Sequence, residues 1–271
     1  MQVNVVPAKQ GTRWVLDGIS YIRAQPLAML AVTFLYLLCL ILPSLIPGLG
    51  YAAPLIITPF LSVGLVHCAR AADRKQTVVP SMLWSGLKDS GGNAWKSLLL
   101  MGIVNAVFTV LALGFASLID GGTLWKLVTG VLKPDDPALK EQATIILGFG
   151  SFLFVYIPLQ MTMWYAPIFI AWHKMGIGQA MFTSFFAVWQ NKGAFLRYGF
   201  TWFGLMLCVS FFINTVAMIT KSAVLVSFLT FPISTIAVAA VYASFWPSYR
   251  DAIGNTSDDA PAAPAIDQSS T

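Results

Sequence analysis

The amino-acid sequence predicts an all-α integral membrane protein with six transmembrane helices. Of its 271 residues, 57% are apolar and 10% are charged, and the mean hydropathy is +0.75. Soluble domains carry about 25% charged residues, so a chain this apolar requires lipid as the solvent for much of its surface. Six apolar runs are long enough to cross the ~30 Å core of a bilayer, which takes ~20 helical residues each.

The six predicted spans follow one another along the chain. We place them at about 27–46, 50–70, 96–118, 143–172, 195–218 and 222–246. We expect helices because lipid offers an open backbone no hydrogen-bond partner, and the runs lack the alternation of a membrane β-barrel. The first run is as long as a bilayer span, so we expect a retained anchor and no cleavable signal peptide. Between spans three and four, apolar residues at helical spacing predict a short surface helix over 124–132.

The basic residues predict the orientation of these spans. Twelve of the 16 Lys and Arg residues flank the spans on the side that would hold both chain termini, and four lie on the other side. Cytoplasmic loops carry an excess of Lys and Arg. We therefore expect both chain termini to lie in the cytoplasm.

A similar pattern of residues precedes each odd-numbered span. The three stretches are RWVLDGISYIRAQPLAML, SMLWSGLKDSGGNAWKSLL and AMFTSFFAVWQNKGAFLRY. Each contains apolar and aromatic residues, then a polar break with Gly or Pro, then the span. Such a pattern is typical of an amphipathic helix in the membrane interface. In the third stretch, we expect Asn191, Lys192 and Gly193 to form the elbow into the bilayer, with glycine permitting the turn.

The repeated pattern predicts three repeats of an interfacial helix followed by a two-helix hairpin. Each even span carries an internal proline, namely Pro59, Pro167 and Pro232. We place the repeats at about 11–75, 79–174 and 178–250, within a single domain over 1–253. The remaining segment, 254–271, is small, polar and proline-rich, and we expect a disordered cytoplasmic tail.

The centres of the predicted spans contain no Asp, Glu, Lys or Arg. Buried ionisable residues mark many proton and ion pathways, so this pattern argues against an ion-coupled carrier. The uncharged polar candidates are Asn105, Gln160 and Asn214. Their expected role is hydrogen bonding between helices, at ~0.6–2 kcal/mol each, and the alternative is a polar lining for a solute pathway.

Four basic residues at the predicted interfaces are candidate contacts for lipid headgroups: Arg23, Lys96, Lys192 and Arg197. Long basic side chains lay their stems along apolar surface and extend the charged group to the headgroups.

Motifs for catalysis, metal binding and nucleic-acid binding are missing from the sequence. It has no G-x-S-x-G, H-E-x-x-H or Walker A pattern. His67 and His173 fall near the same membrane edge, but no acid or third ligand accompanies them at zinc spacing. No clustered basic readout motif appears. We therefore predict no catalytic residues, no metal, no cofactor and no nucleic acid.

Two sequence stretches carry a resemblance to a known family. They are PAKQGTRWVLDGISYIRAQPLAML and LPSLIPGLGYAAPLIITPFLSVGLV, taken with the repeated helix-and-hairpin plan. Together they resemble a family of proteobacterial multi-pass inner-membrane proteins without an assigned biochemical activity. That family is distantly similar to the membrane domains attached to some glycerophosphodiester phosphodiesterases. The chain lacks the soluble phosphodiesterase domain, so the resemblance implies neither that activity nor any catalytic residue.

The leading functional hypothesis is a non-enzymatic membrane scaffold that binds lipids or protein partners. The expected partners are membrane lipids, with a second copy of the chain or other membrane proteins as candidates. The first alternative is a permease or channel for a small uncharged or amphiphilic solute. The second is a membrane enzyme acting on lipid, with polar groups converging near His67 and His173.

Overall fold

The computed structural model describes residues 3–46, 50–88, 94–132 and 142–254, and all regular structure in these ranges is helical. In chain order, the helices are α1 (Gln10–Ala24), α2 (Pro26–Ser44), α3 (Ala52–Asp73), α4 (Ser85–Lys88), α5 (Ala94–Asp120), α6 (Thr123–Val128), α7 (Gln142–Met163), α8 (Ala166–His173), α9 (Ile177–Gln190), α10 (Lys192–Thr220) and α11 (Ala223–Ile253). A 3₁₀ turn over Pro80–Trp84 precedes α4.

Six described segments are long and apolar enough to cross a membrane. They are α2, α3, α5, α10, α11 and the pair α7–α8, which together cover Thr144–His173. This result confirms the predicted six-helix membrane class. The predicted limits are close for most spans, and α11 continues about two turns past its predicted end. The predicted surface helix is present as the shorter α6.

The chain enters and leaves the helix bundle at the same end. The backbone N–H of Asn4 donates a hydrogen bond to the carbonyl of Ala252, at 2.7 Å. We call this end, which holds residues 3–9 and the last turn of α11, the termini end. An even number of spans requires this arrangement. The assignment of the termini end to the cytoplasm stays a prediction.

A short helical segment precedes each odd span in the described chain. These segments are α1, the 3₁₀ turn with α4, and α9. The threefold repeat and its boundaries stay predictions. The predicted tail begins at Gly254, and its residues 255–271 lie outside the described residues.

Small residues allow the helices to approach closely, as is common inside membranes. A Cβ atom at Gly102 of α5 would overlap the carbonyl oxygen of Ile56 in α3. Two glycines of α1 are equally constrained, because a Cβ at Gly11 would overlap the backbone of α10 and one at Gly18 would meet Ser244 of α11. Helix α1 therefore lies directly against the last two spans.

A cluster of charged side chains links α1, α3 and α11 at the termini end. The guanidinium of Arg250 lies 3.1 Å from Asp73, 3.2 Å from Asp251 and 3.7 Å from Asp17, measured between nitrogen and oxygen. The hydroxyl of Tyr21 also donates to Asp73, at 2.8 Å. One cation is thus shared by three carboxylates, which come from three helices.

Neutral donors complete this charge cluster. The indole of Trp246 donates to Asp73 at 2.8 Å, and the indole of Trp14 donates to Asp251 at 3.0 Å. Burial raises the pKa of the Asp17 carboxyl above its ordinary value. Burial also raises the pKa of Tyr21, and its hydrogen bond to Asp73 adds to that effect. The phenol of Tyr21 therefore stays a proton donor to Asp73.

The charge cluster predicts unequal effects for its carboxylates. Asp73→Asn removes a hydrogen-bonded charge beside Arg250 and should lower the free energy of unfolding by ~1.5–3 kcal/mol. Asp17 is more exposed and more distant from the guanidinium, so Asp17→Asn should cost less than ~1 kcal/mol. Denaturant unfolding in detergent micelles measures both, and equal losses for the two variants would contradict this account.

Candidate functional site

The fourth membrane span is broken near the termini end. Helix α7 ends at Met163, and α8 begins at Ala166 with Pro167 as its second residue. The proline has no N–H, and its ring would clash with the Met163 carbonyl in a continued helix. The predicted fourth span is therefore present as two helices interrupted just before Pro167, whereas α7 continues through Pro158.

Ser184 of α9 bridges this break with two hydrogen bonds. The backbone N–H of Tyr165 donates to Ser184 Oγ at 2.9 Å, and Ser184 Oγ donates to the Met161 carbonyl at 2.8 Å. In an unbroken α-helix, the N–H of Tyr165 would donate directly to Met161. The serine hydroxyl, which is fully buried, takes the place of that one helical hydrogen bond. It also fixes α9 against the break.

The joint between α9 and α10 differs from the predicted elbow. Asn191 alone separates the two helices, with φ −100° and ψ 19°. Gly193 already belongs to α10 and does not make the turn, so the role predicted for it was wrong. The buried side chain of Asn191 accepts from the Val6 backbone at 2.8 Å and donates to the Asn4 carbonyl at 2.9 Å.

An apolar groove of about 490 Å³ opens between α7, α9 and α10. One wall runs from Leu153 on α7 to Trp164, just past the end of that helix, and Trp189 and Phe195 line it from the other two helices. Lys192, the first residue of α10, lines the groove at the termini end. Its ammonium group lies 5.1 Å from the centroid of the Trp189 ring. The groove thus has apolar walls and one cation near its rim.

A smaller cavity of about 140 Å³, whose lining is mainly apolar but includes Ser62 and Asn105, also borders α7, and Gln160 and Trp164 line both spaces. The side-chain amide of Gln160 donates to Asn105 Oδ1 at 3.2 Å, and Asn105 Nδ2 donates to the Leu55 carbonyl at 3.1 Å. Pro59 has no N–H to offer that carbonyl. Asn105 therefore supplies the donor that the proline lacks, and the two predicted amides are engaged in hydrogen bonds between helices.

Asn214 lies apart from these two amides. Its side chain is exposed on α10 and donates to the carbonyl of Ser210 at 2.8 Å, one turn earlier in the same helix. The three predicted intramembrane polar residues therefore divide into one interacting pair and one outward-facing amide.

The four candidate headgroup residues also have different surroundings. Lys192 lines the groove. Arg197 donates from Nε to the Thr12 hydroxyl at 3.1 Å and so links α10 to α1. Lys96 lies 5.8 Å from the centroid of the Trp95 ring, and both Lys96 and Arg23 are exposed.

The two histidines make aromatic and hydrogen-bond contacts within the bundle. His173 Nε2 lies 2.6 Å from the Tyr249 hydroxyl, and the His67 ring meets Trp172 edge-on at 6.5 Å between centroids. Across the described ranges, no group of three or more His, Cys, Asp or Glu residues could hold a metal ion.

A probable inner membrane protein of Burkholderia thailandensis is similar to this chain over nearly its whole length. The two are 34% identical over 271 aligned positions, which cover 97% of this chain and 98% of that protein. The chain belongs to this family of inner-membrane proteins. Family membership agrees with the six apolar helices and confirms the predicted proteobacterial inner-membrane resemblance and the multi-pass inner-membrane localisation.

Two further comparisons gave no match. No family model and no solved structure matches the chain. The likeness to the membrane domains of glycerophosphodiester phosphodiesterases stays a prediction.

The hydrogen bonds of Ser184 predict a specific loss of stability. Ser184→Ala leaves the Tyr165 N–H and the Met161 carbonyl without this partner inside the bundle, which should cost ~1–3 kcal/mol. The neighbouring Thr183→Ala should leave stability within ~0.5 kcal/mol, because Thr183 only partly packs against the bundle. Thermal unfolding in detergent micelles checks the pair. Equal stability of Ser184→Ala and the parent protein would show that the hydroxyl does not repair the break.

Proposed function

We propose that the protein is a non-enzymatic, lipid-binding member of the inner membrane that holds one acyl chain of a phospholipid in the groove between α7, α9 and α10. The observation that carries the proposal is an apolar groove with a single lysine at its rim. Its volume of about 490 Å³ lies within the ~300–1,000 Å³ that small-molecule sites occupy.

The depth of the groove fits one leaflet. From Leu153 on α7 to Trp164 just past its end, this wall extends ~16 Å at 1.5 Å per residue. This length is about half of the ~30 Å hydrocarbon core. An acyl chain from the leaflet at the termini end would therefore lie along the whole wall, with its headgroup near the start of α10.

The rim of the groove favours a phosphate group. Lys192 carries a positive charge there, and the Trp189 ring beneath its ammonium is 51% exposed. Trp side chains prefer the membrane–water interface, where one edge is wet and the other apolar. A lipid phosphate beside Lys192 would accept a hydrogen bond from its ammonium group and pair with its positive charge.

The permease hypothesis has a weaker structural basis. The smaller cavity measures about 140 Å³, which holds a few water molecules and falls below the ~300 Å³ of a small ligand site. Asn105 and Gln160 are already hydrogen bonded across it, and Asn214 faces away. The groove therefore supports lipid binding better than the cavity supports a pathway.

The charge distribution supports one orientation of the site in the membrane. We place the termini end, and with it the groove rim, on the cytoplasmic side, because twelve of 16 basic residues belong to that side. The retained lipid would then come from the cytoplasmic leaflet.

Native mass spectrometry of protein released from nanodiscs tests lipid binding. We expect one retained phosphatidylglycerol per chain, with less retention of zwitterionic phosphatidylcholine. Lys192→Glu should reduce phosphatidylglycerol retention about fivefold or more, from the ~1 kcal/mol that each basic residue contributes near anionic lipid. Ile157→Trp fills the apolar wall and should reduce retention of both lipids.

The matched control is Lys96→Glu, because Lys96 also lies beside a tryptophan but outside the groove. It should retain lipid as the parent protein does. Retention that is unchanged in both Lys192→Glu and Ile157→Trp would overturn the proposal, as would a parent protein that releases all lipid.

A further inference from the structure

Helix α10 presents an exposed face that no other described helix covers. Of the six candidate spans, it is the one whose apolar 18-residue stretch contains no buried residue. Residues at alternating intervals of three and four form one row along this face, in which Ala217 is half-buried and the other members are exposed. We call this row the α10 seam, and it consists of Phe200, Phe203, Leu207, Ser210, Asn214 and Ala217.

The spacing of the seam is that of a coiled coil. Alternating intervals of three and four residues keep one stripe facing a partner helix, as in the a and d positions of a heptad. Phe200, Leu207 and Asn214 then share the a positions. Phe200 is 66% exposed and Leu207 is 54% exposed, so the stripe faces outward from its own bundle.

Asn214 gives the seam a recognition element. Its Nδ2 donates within α10 to Ser210, whereas its Oδ1 accepts no hydrogen bond from the described residues. Apolar Phe211 and Met218, exposed at 76% and 79%, flank it on either side. In hydrocarbon, an amide oxygen without a donor is costly.

The residues beside Asn214 permit a close approach. Ser210 and Ala217, one turn before and one turn after it, are the two small residues of the seam. Small residues let membrane helices pack with short backbone separations. An amide at this point could therefore reach a partner on a facing helix.

We propose that α10 packs in parallel against α10 of a second copy of this chain, with the two Asn214 side chains hydrogen bonded across a twofold axis. A carboxamide is both donor and acceptor, so it is complementary to itself. Copies inserted with the same topology place their α10 helices parallel, and a twofold axis brings residue 214 opposite residue 214. A single asparagine at an a position is a known determinant of register and oligomeric state. The proposal does not depend on the lipid groove.

Disulfide cross-linking in native membranes tests the geometry, because the chain provides its own control. Cys208 is exposed on α10 but lies about 100° around the helix from Leu207. In a background carrying Cys39→Ala, Leu207→Cys with Cys208→Ala should form a covalent dimer on mild oxidation. The matched protein that keeps Leu207 and Cys208 should stay monomeric. Equal cross-linking of the two proteins, or none in either, would overturn the proposal.

The amide is tested in the same cross-linking background. Asn214→Leu should weaken dimerisation roughly tenfold, as expected for loss of an interhelical hydrogen bond in a membrane. Thr215→Val removes a hydroxyl one residue away from the seam, where Thr215 bonds to its own helix, and should leave dimerisation unchanged. Equal dimerisation of the Asn214→Leu variant and the parent would show that the amide does not hold the pair.

Discussion

The serine hydroxyl inserted into the broken fourth span is the contact from which the proposed site is built. A proline near the termini end interrupts the span, and the freed backbone groups need partners because lipid supplies none. The Ser184 hydroxyl accepts a hydrogen bond from the Tyr165 N–H and donates one to the Met161 carbonyl. By doing so it holds α9 against α7, and α9 then carries Trp189 to one wall of the groove. Two residues after Trp189, the buried Asn191 joins α9 to α10. It thereby places Lys192, the first residue of α10, at the rim of the groove.

The same requirement explains where other polar groups of the protein lie. Asn105 supplies a donor to a carbonyl that Pro59 leaves without its helical partner. The charges of Asp73 and Arg250 meet at the termini end, together with indole and phenol donors. The amide oxygen of Asn214, in contrast, has no donor among the described residues, and it lies on the outer face of the bundle. A polar group that is hydrogen bonded inside the bundle contributes to folding. A polar group on the outer face is available to bind another molecule.

The sequence predicts the spans well and the site poorly, for physical reasons. Length and hydropathy define a transmembrane helix locally, so six spans and their approximate limits follow directly. The effect of a proline depends on its neighbours in space, and nothing in the sequence separates Pro158, which α7 accommodates, from Pro167, which ends the helix. Ser184 reads as a small polar residue in an aromatic interfacial helix. Its role becomes visible only when α9 packs against the break.

The charge cluster was missed for a related reason. Asp73 and Arg250 are 177 residues apart, and each reads in sequence as an ordinary charge at the edge of a span. The positive-inside pattern uses the sum of such charges and carries no information on their pairing. Lys192 was identified as an interfacial lysine, but its place at the groove depends on the packing of three helices. The sequence therefore supplies the candidates, and the tertiary structure selects among them.

The most direct test of this account is a cryo-electron microscopy structure of the protein in phosphatidylglycerol nanodiscs. The account predicts a break in the fourth span with Ser184 between Met161 and Tyr165. It also predicts an elongated density along the α7 wall that ends in a headgroup beside Lys192. A groove closed by its own side chains, or lipid density no stronger there than along the rest of the bundle, would contradict the central claim.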